Sequence, residues 1–152
     1  MSVVKTFIDT NVLIYAFTAD EPAKQEIALI YLNHCLPVIS TQVVKEFSNV
    51  LLKKTDISLQ AIQEIINEII DVADVANEEI GLIFAAFEIH KRYKFSFYDS
   101  LIVATAINSR CQVLLSEDIQ DGQIIDNKLK VVNPFNRRGG NLPPALQNHY
   151  QR

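Results

Sequence analysis

Four acids stand where this chain would need them for chemistry: Asp9, Glu46, Asp99 and Asp118. Asp9 ends the apolar run Val4-Lys5-Thr6-Phe7-Ile8 and is followed by Thr10-Asn11 and a second apolar pattern. A charge at the edge of a core is costly unless it is paired or binds a cation. Carboxylates gathered in one cleft repel one another unless a cation neutralises them. Hard oxygen donors suit Mg2+ or Mn2+, and no His/Cys set with zinc spacing accompanies them. Such ions keep water and take substrate phosphates as further ligands, so the matching chemistry is phosphodiester hydrolysis. Each acid also has an ordinary structural use. Asp9 can cap a helix, Glu46 can be a solvated helix acid, Asp99 can complete a capping box, and Asp118 can form a turn. The choice depends on whether the fold brings the four together.

The apolar spacing predicts the elements that would do so. A strand over 5–8 leads into a short helix through Phe17, and Glu21-Pro22 opens a helix reaching His34. A buried strand over 37–40 is followed by a helix over 42–54, with Thr41 as its N-cap. Ser58 opens a helix carrying Leu59, Ile62, Ile65, Ile66, Ile69 and Ile70 on one face. A weak strand over 72–75 and a helix from 77–79 to Tyr93 come next. Ser96-Phe97-Tyr98-Asp99 has the form of a capping box and starts a helix ending near Arg110. Strands over 112–115 and 130–132 complete the pattern. Short apolar strands alternating with helices imply an α/β fold with a parallel sheet covered on both faces. Ligands of such sheets bind outside the carboxyl ends of the strands. Asp9 and Asp118 fall just past strand ends, and Glu46 and Asp99 fall within about one turn of helix starts. All four are therefore expected on one rim.

The remaining composition sets bounds. The chain has 152 residues, 49% hydrophobic and 21% charged, which suits one domain around one core. The apolar N-terminal stretch lacks a basic n-region and a cleavage site, and no run is long enough to span a membrane, so a cytoplasmic protein is expected. Cys35 and Cys111 lack ligand spacing and read as free core thiols. The formal net charge of -4 argues against bulk attraction to nucleic acid, though not against a local basic face. From Asn133 the chain turns polar, with three prolines and two glycines, and residues 134–152 read as an extended or disordered tail.

The segments IDTNVLIYAF (8–17), TQVVKEF (41–47), SFYDSLIVATA (96–106) and LLSEDIQDG (114–122) resemble the PIN-domain nucleases, above all the VapC-type toxins of toxin–antitoxin pairs. The resemblance covers residues 3–133. It implies a three-layer α/β/α fold with a mostly parallel sheet and a metal-dependent endoribonuclease activity. By motif, Asp9, Glu46, Asp99 and Asp118 would be the catalytic, metal-binding acids, holding Mg2+ or Mn2+. Thr10 and Asn11 would support the site, Ser116 would orient water or a metal-bound group, and Asp121 would be an outer acid. The resemblance further implies an RNA substrate, a homodimer and a cognate antitoxin that silences the protein. An RNA-processing nuclease outside any toxin system and a catalytically silent scaffold are the alternatives. A haloacid-dehalogenase phosphatase needs an acid where Asn11 stands, and a receiver domain needs an acidic pair that 5–8 does not offer.

An acidic nuclease must still hold a polyanion. Lys53, Lys54, Lys91, Arg92, Lys94, Arg137 and Arg138 are candidate phosphate contacts, or else solvated cations complementing helix C-termini. Phe95, Phe97 and Tyr98 lie beside Asp99, and one of them could stack on an unpaired base while the others pack in the core. His34, His90 and His149 have no partner spacing.

Overall fold

The computed structural model describes residues 3–136. In chain order the elements are β1 (Lys5–Ile8), α1 (Thr10–Phe17), α2 (Pro22–Asn33), β2 (Leu36–Ser40), α3 (Thr41–Lys54) and α4 (Leu59–Val72), then β3 (Asp74–Ala76), α5 (Ile80–Tyr93), α6 (Phe97–Asn108), β4 (Val113–Leu115), β5 (Ile124–Ile125) and β6 (Leu129–Val132). The strands form one sheet in the order β3-β2-β1-β4-β6-β5. Every pairing is parallel except β5 with β6. This is the three-layer α/β/α architecture expected from the alternating pattern.

The chain moves outward from β1 through β2 to β3 and then returns to β4 on the other side of β1. Right-handed crossovers therefore put α1–α4 on one face and α5–α6 on the other. The strand order reverses between β1 and β4, which is where open α/β sheets open a crevice for ligands. Residues Ile8 and Leu115 are register partners there, so Asp9 and Ser116 leave the sheet side by side.

The core explains why these segments form these elements. Phe7, Ile8, Val38, Ile39, Leu114, Leu115 and Val131 are buried from both faces, each stabilising by about 1.5–3 kcal/mol relative to exposure. Helix α6 is buried continuously from Ser100 to Ala106, so it lies in the interior rather than on a half-wet surface. Both cysteines are free thiols, and burial pushes each up to about 11. Among the described residues, no helix is long and apolar enough to cross a membrane.

Three local features differ from the sequence reading. Ser40, not Thr41, caps α3, with its hydroxyl accepting from the Val43 N–H at 3.2 Å. Helix α4 runs through Val72, so the weak strand begins only at Asp74. Strand β5 was not anticipated. It pairs antiparallel with β6 through a turn in which Asp126 and Asn127 both have positive φ (52° and 56°), the twist that tight hairpins favour.

Packing also continues past Asn133. The Phe135 ring meets Tyr15 edge-on at 5.1 Å, and the Lys24 ammonium lies 5.2 Å from its centroid. Arg137, Arg138 and His149 lie outside the described residues, as does the rest of the expected tail.

Candidate active site

The site begins with the cap of α1. Asp9 has extended backbone, and its Oδ1 accepts from the Thr10 N–H at 2.8 Å. Its Oδ2 accepts from the Ser116 hydroxyl at 2.8 Å. Ser116 Oγ in turn accepts from the Asp118 N–H at 3.1 Å. Asp9 thus serves as a cap and as a buried acid at once, and the two readings of it are not exclusive. It is only 7% exposed, and Ser116 is fully buried beside it.

The electrostatics show which acids share the site. Burial lifts the Asp9 carboxyl to about 6, against the pull of the hydrogen bonds from Ser116 and Thr10. The negative charges of Asp118 and Asp99 push it the same way as burial. Asp118 is raised as well, first by partial burial and then by the charges of Asp99 and Glu117. Asp9, Asp99 and Asp118 therefore sit in one another's fields, although they are widely separated along the chain. Asp99 reaches the rim because Ser96 caps α6, its hydroxyl accepting from the Asp99 N–H at 3.2 Å.

Glu46 joins from α3. Its Oε2 accepts from the Thr10 hydroxyl at 3.4 Å, and its Oε1 accepts from Gln42 Nε2 at 2.6 Å. Asn11, next to Thr10, reaches the fourth acid, with Nδ2 donating to Asp118 Oδ2 at 3.3 Å. Thr10 and Asn11 thus place donors between acids. Asp121 is employed differently: its two oxygens accept from the Asn133 N–H at 2.8 Å and from Asn136 Nδ2 at 3.0 Å. It ties the chain after β6 to the turn after β4.

The donor chemistry fits a hard divalent cation, because every side chain offered is a carboxylate and their mutual repulsion favours a positive charge. Among the described residues, no three acid, histidine or cysteine side chains are already drawn together as a cage. Gln42 and Thr10 hold the Glu46 carboxylate by hydrogen bonds to its two oxygens.

The basic and aromatic candidates divide. Lys53 and Lys54 occupy the exposed last turn of α3. Lys91 and Arg92 occupy the last turn of α5, and Lys94 is its left-handed C-cap, with φ 64°. Arg92 is committed to Asp126 at 2.6 Å, so the structure gives it a structural partner. Phe95 stacks on Tyr93, and Phe97 packs against Phe87 and Tyr98. Tyr98 alone of the three is largely exposed, at 66%. Gln42, Lys45 and Glu78, which the sequence did not single out, also line the site. A pocket of about 410 Å³ adjoins Glu46 and is bounded by Gln42, Lys45, Glu78 and Tyr98. The i, i+4 pair Gln42–Glu46 on a predicted helix was the available signal.

The model of the PIN domain matches residues 6–120. The chain belongs to the PIN-domain family. Solved structures share this PIN fold at low identity. A toxin–antitoxin complex from Klebsiella pneumoniae aligns with a TM-score of 0.66 at 21% identity, covering 86% of this chain and 98% of that one. VapC20 of Mycobacterium tuberculosis, a Sarcin-Ricin loop cleaving toxin, aligns at 0.62 and 19% identity, covering 74% and 91%. VapBC2 from Rickettsia felis, bound to a DNA fragment from its promoter, aligns at 0.62 and 16% identity, covering 85% and 99%. No curated protein matches the chain by sequence.

Proposed function

We propose that this PIN domain is a divalent-metal-dependent endoribonuclease and the toxin of a cytoplasmic toxin–antitoxin pair. The observation that carries this reading is the shared field of Asp9, Asp99 and Asp118 at the switch point between β1 and β4, with Glu46 tied in through Thr10. Such a field, with one carboxyl raised to about 6, has a use when a cation is to be gathered there. Asp9, Glu46, Asp99 and Asp118 would hold Mg2+ or Mn2+. A bound ion of this kind supplies charge stabilisation for the phosphodiester and an activated water.

The chain's own residues have separate tasks. Asp9 is held in one rotamer by Thr10 and Ser116, so it enters the reaction without reorganising. Ser116 fixes the Asp118 backbone as well, and Asn11 steadies the Asp118 carboxylate. Gln42 and Thr10 set the direction from which Glu46 faces the crevice. The toxin assignment and the antitoxin partner are supported by the motif resemblance and by the kind of proteins that share the fold, and the homodimer by the motif resemblance alone. Lys53 and Lys54 are the phosphate contacts on α3 in this reading.

The test is cleavage of a mixed pool of structured RNAs by the full chain with Mg2+, with Mn2+ and with EDTA, beside Asp99→Asn. Metal-dependent cuts that disappear in Asp99→Asn are expected. Cuts that persist in EDTA or in the variant would overturn the assignment.

A further inference from the structure

Helix α5 carries an apolar line that its own fold does not cover. Ile80, Phe84, Phe87 and Lys91 share one face of the helix by their spacing. Ile80 is 70% exposed, Phe84 63% and Phe87 49%. Ring contacts extend the line onto α6: Phe84 meets Phe87 at 6.0 Å, Phe87 meets Phe97 at 5.7 Å, and Phe97 meets Tyr98 at 5.3 Å. With Tyr98 also exposed, these side chains leave roughly 500 Å² of mostly apolar surface in one patch. That is the upper end of what a monomeric surface carries, and it marks a contact surface. A standard interface buries about 800 Å² on each partner, so the patch is large enough to form the centre of one.

The charges on α5 say what fits there. Glu79 stands at the start of the line, and its side chain makes no capping bond; Lys91 stands at the far end. Neither has an ion-pair partner among the described residues. A helix that is acidic at its start and basic at its end is complementary to itself when a second copy packs antiparallel. A two-fold axis beside Ala85 and Ala86 sets Phe84 of each copy against Phe87 of the other. The same axis sets Ile80 and Glu79 against Lys91, whose stem covers the isoleucine while its ammonium reaches the carboxylate. Gly81 and the exposed Ala85 flank the line, with open space above Gly81, so the partner's rings have a groove to enter. Helix α4 gives the contrast. It exposes Leu59, Ile70 and Val72, but its charges are Glu64, Glu68 and Asp71 with no cation, so two copies of it would meet acid to acid.

We infer that α5 is the self-association surface of this protein: two copies pack antiparallel through Phe84 and Phe87, with Glu79–Lys91 pairs closing both ends. The patch ends at Tyr98, next to Asp99, and Tyr98 is a wall of the pocket beside Glu46. The interface therefore reaches the border of each acidic crevice. The inference rests on the homodimer of the proposed reading and gives it a surface. Its test reads mass without metal or RNA, so the ribonuclease chemistry and the interface can fail separately.

The experiment is sedimentation velocity of the full chain over a range of concentrations, with circular dichroism as the check on the fold. Wild type should be a dimer at micromolar concentration. Phe84→Lys changes an exposed position and should lower the dimer affinity about a hundredfold. Ile70→Lys on α4 should leave it unchanged. Glu79→Lys and Lys91→Glu should each weaken the dimer about tenfold, since each sets like charges together at both ends. Mixed in equal amounts, these two variants should form a heterodimer about as tight as wild type, because every end pair is again opposite in sign. A local structural defect in either variant would not be reversed by mixing. A monomeric wild type overturns the inference together with the homodimer. A Phe84→Lys dimer as tight as wild type, a dimer lost in Ile70→Lys, or charge variants that mixing does not restore overturns the α5 surface and leaves the homodimer standing.

Discussion

Ser116 and Asp9 lock the ends of two neighbouring strands together, the hydroxyl of one donating to the carboxylate of the other at 2.8 Å. The bond spans the switch point of the sheet, and the same serine oxygen accepts the Asp118 N–H. A single buried hydroxyl therefore sets the positions of two acids. Because it bonds the charged form of Asp9, it holds that carboxyl lower than burial alone would. Ser116→Ala should raise the Asp9 pKa further and cost roughly 1–2 kcal/mol of stability. Carboxyl NMR titration and urea denaturation check both effects, and an unmoved Asp9 would mean that the bond does not hold in solution.

The raised Asp9 pKa makes stability depend on pH with a definite sign. The native carboxyl binds a proton up to about pH 6, whereas an ordinary aspartate releases it near 3.8. Between those values the folded state holds more protons than the unfolded one. The Asp9 contribution to stability therefore falls as pH rises through this window, and the penalty, roughly 3 kcal/mol at most, is complete above it. In EDTA, Asp9→Asn should be closer to wild type at pH 4.5 than at pH 7, where it should be the more stable. Adding Mg2+ should stabilise wild type by mass action and the variant much less. Denaturation midpoints at the two pH values, with and without metal, decide this. A variant equally destabilised at both would show that Asp9 is only a cap.

Cleavage should respond more sharply than stability to the same acids. Asp9→Asn, Glu46→Gln, Asp99→Asn and Asp118→Asn should each lower the rate by roughly 10²-fold or more, the scale for losing an electrostatic or acid–base group from a site. Circular dichroism should show the fold retained, since Glu46 and Asp118 are exposed and Asp99 is half-buried. If any of the four keeps the wild-type rate, it is a structural acid and the reaction proceeds without it.

Much of this arrangement was legible in the chain because its signals were doubled. Asp9 was marked both by the apolar strand before it and by the helix after it, and Asp99 by the Ser96 cap that the structure retains. The cap of α3 was harder to place, since Ser40 and Thr41 both offer a hydroxyl and only backbone geometry separates them. Val72 suits a strand as well as the last turn of a helix, so the end of α4 was ambiguous. Strand β5 has two residues, too few for a period to show. Gln42 offered only its i, i+4 spacing to Glu46, and a glutamine on a helix is ordinary until the fold buries its oxygen. Phe135 read as part of a polar tail, and its contacts come from α1 and α2, more than a hundred residues earlier.

The Phe135 contacts support a small clamp. Lys24 spans Tyr15, Phe135 and Glu117, bonding Glu117 at 3.3 Å, and the Tyr15 hydroxyl donates to Glu117 at 2.7 Å. Glu117 lies between Ser116 and Asp118, so the clamp steadies the turn that carries the fourth acid. Phe135→Ala should cost about 1–2 kcal/mol of stability through lost aromatic and packing contacts. It should also lower cleavage without changing metal affinity strongly, because the acids themselves remain. Urea midpoints and calorimetric Mg2+ titration separate these effects.

Asn11 offers the most direct probe of charge balance at the rim. Its amide donates to Asp118 Oδ2 at 3.3 Å, so it supplies a neutral donor beside a crowded set of carboxylates. Asn11→Asp keeps the shape and replaces that donor with a fifth acid. Asp118, already raised by its neighbours, should rise further, and the protein in EDTA should lose stability near pH 7 but not near pH 4, where the added acid is largely protonated. Asn11→Ala removes the donor without adding charge and should leave the pH profile of stability close to wild type while lowering cleavage about tenfold. If Asn11→Asp and Asn11→Ala shift the stability profile equally, the lost hydrogen bond outweighs the added charge, and the rim tolerates another carboxylate.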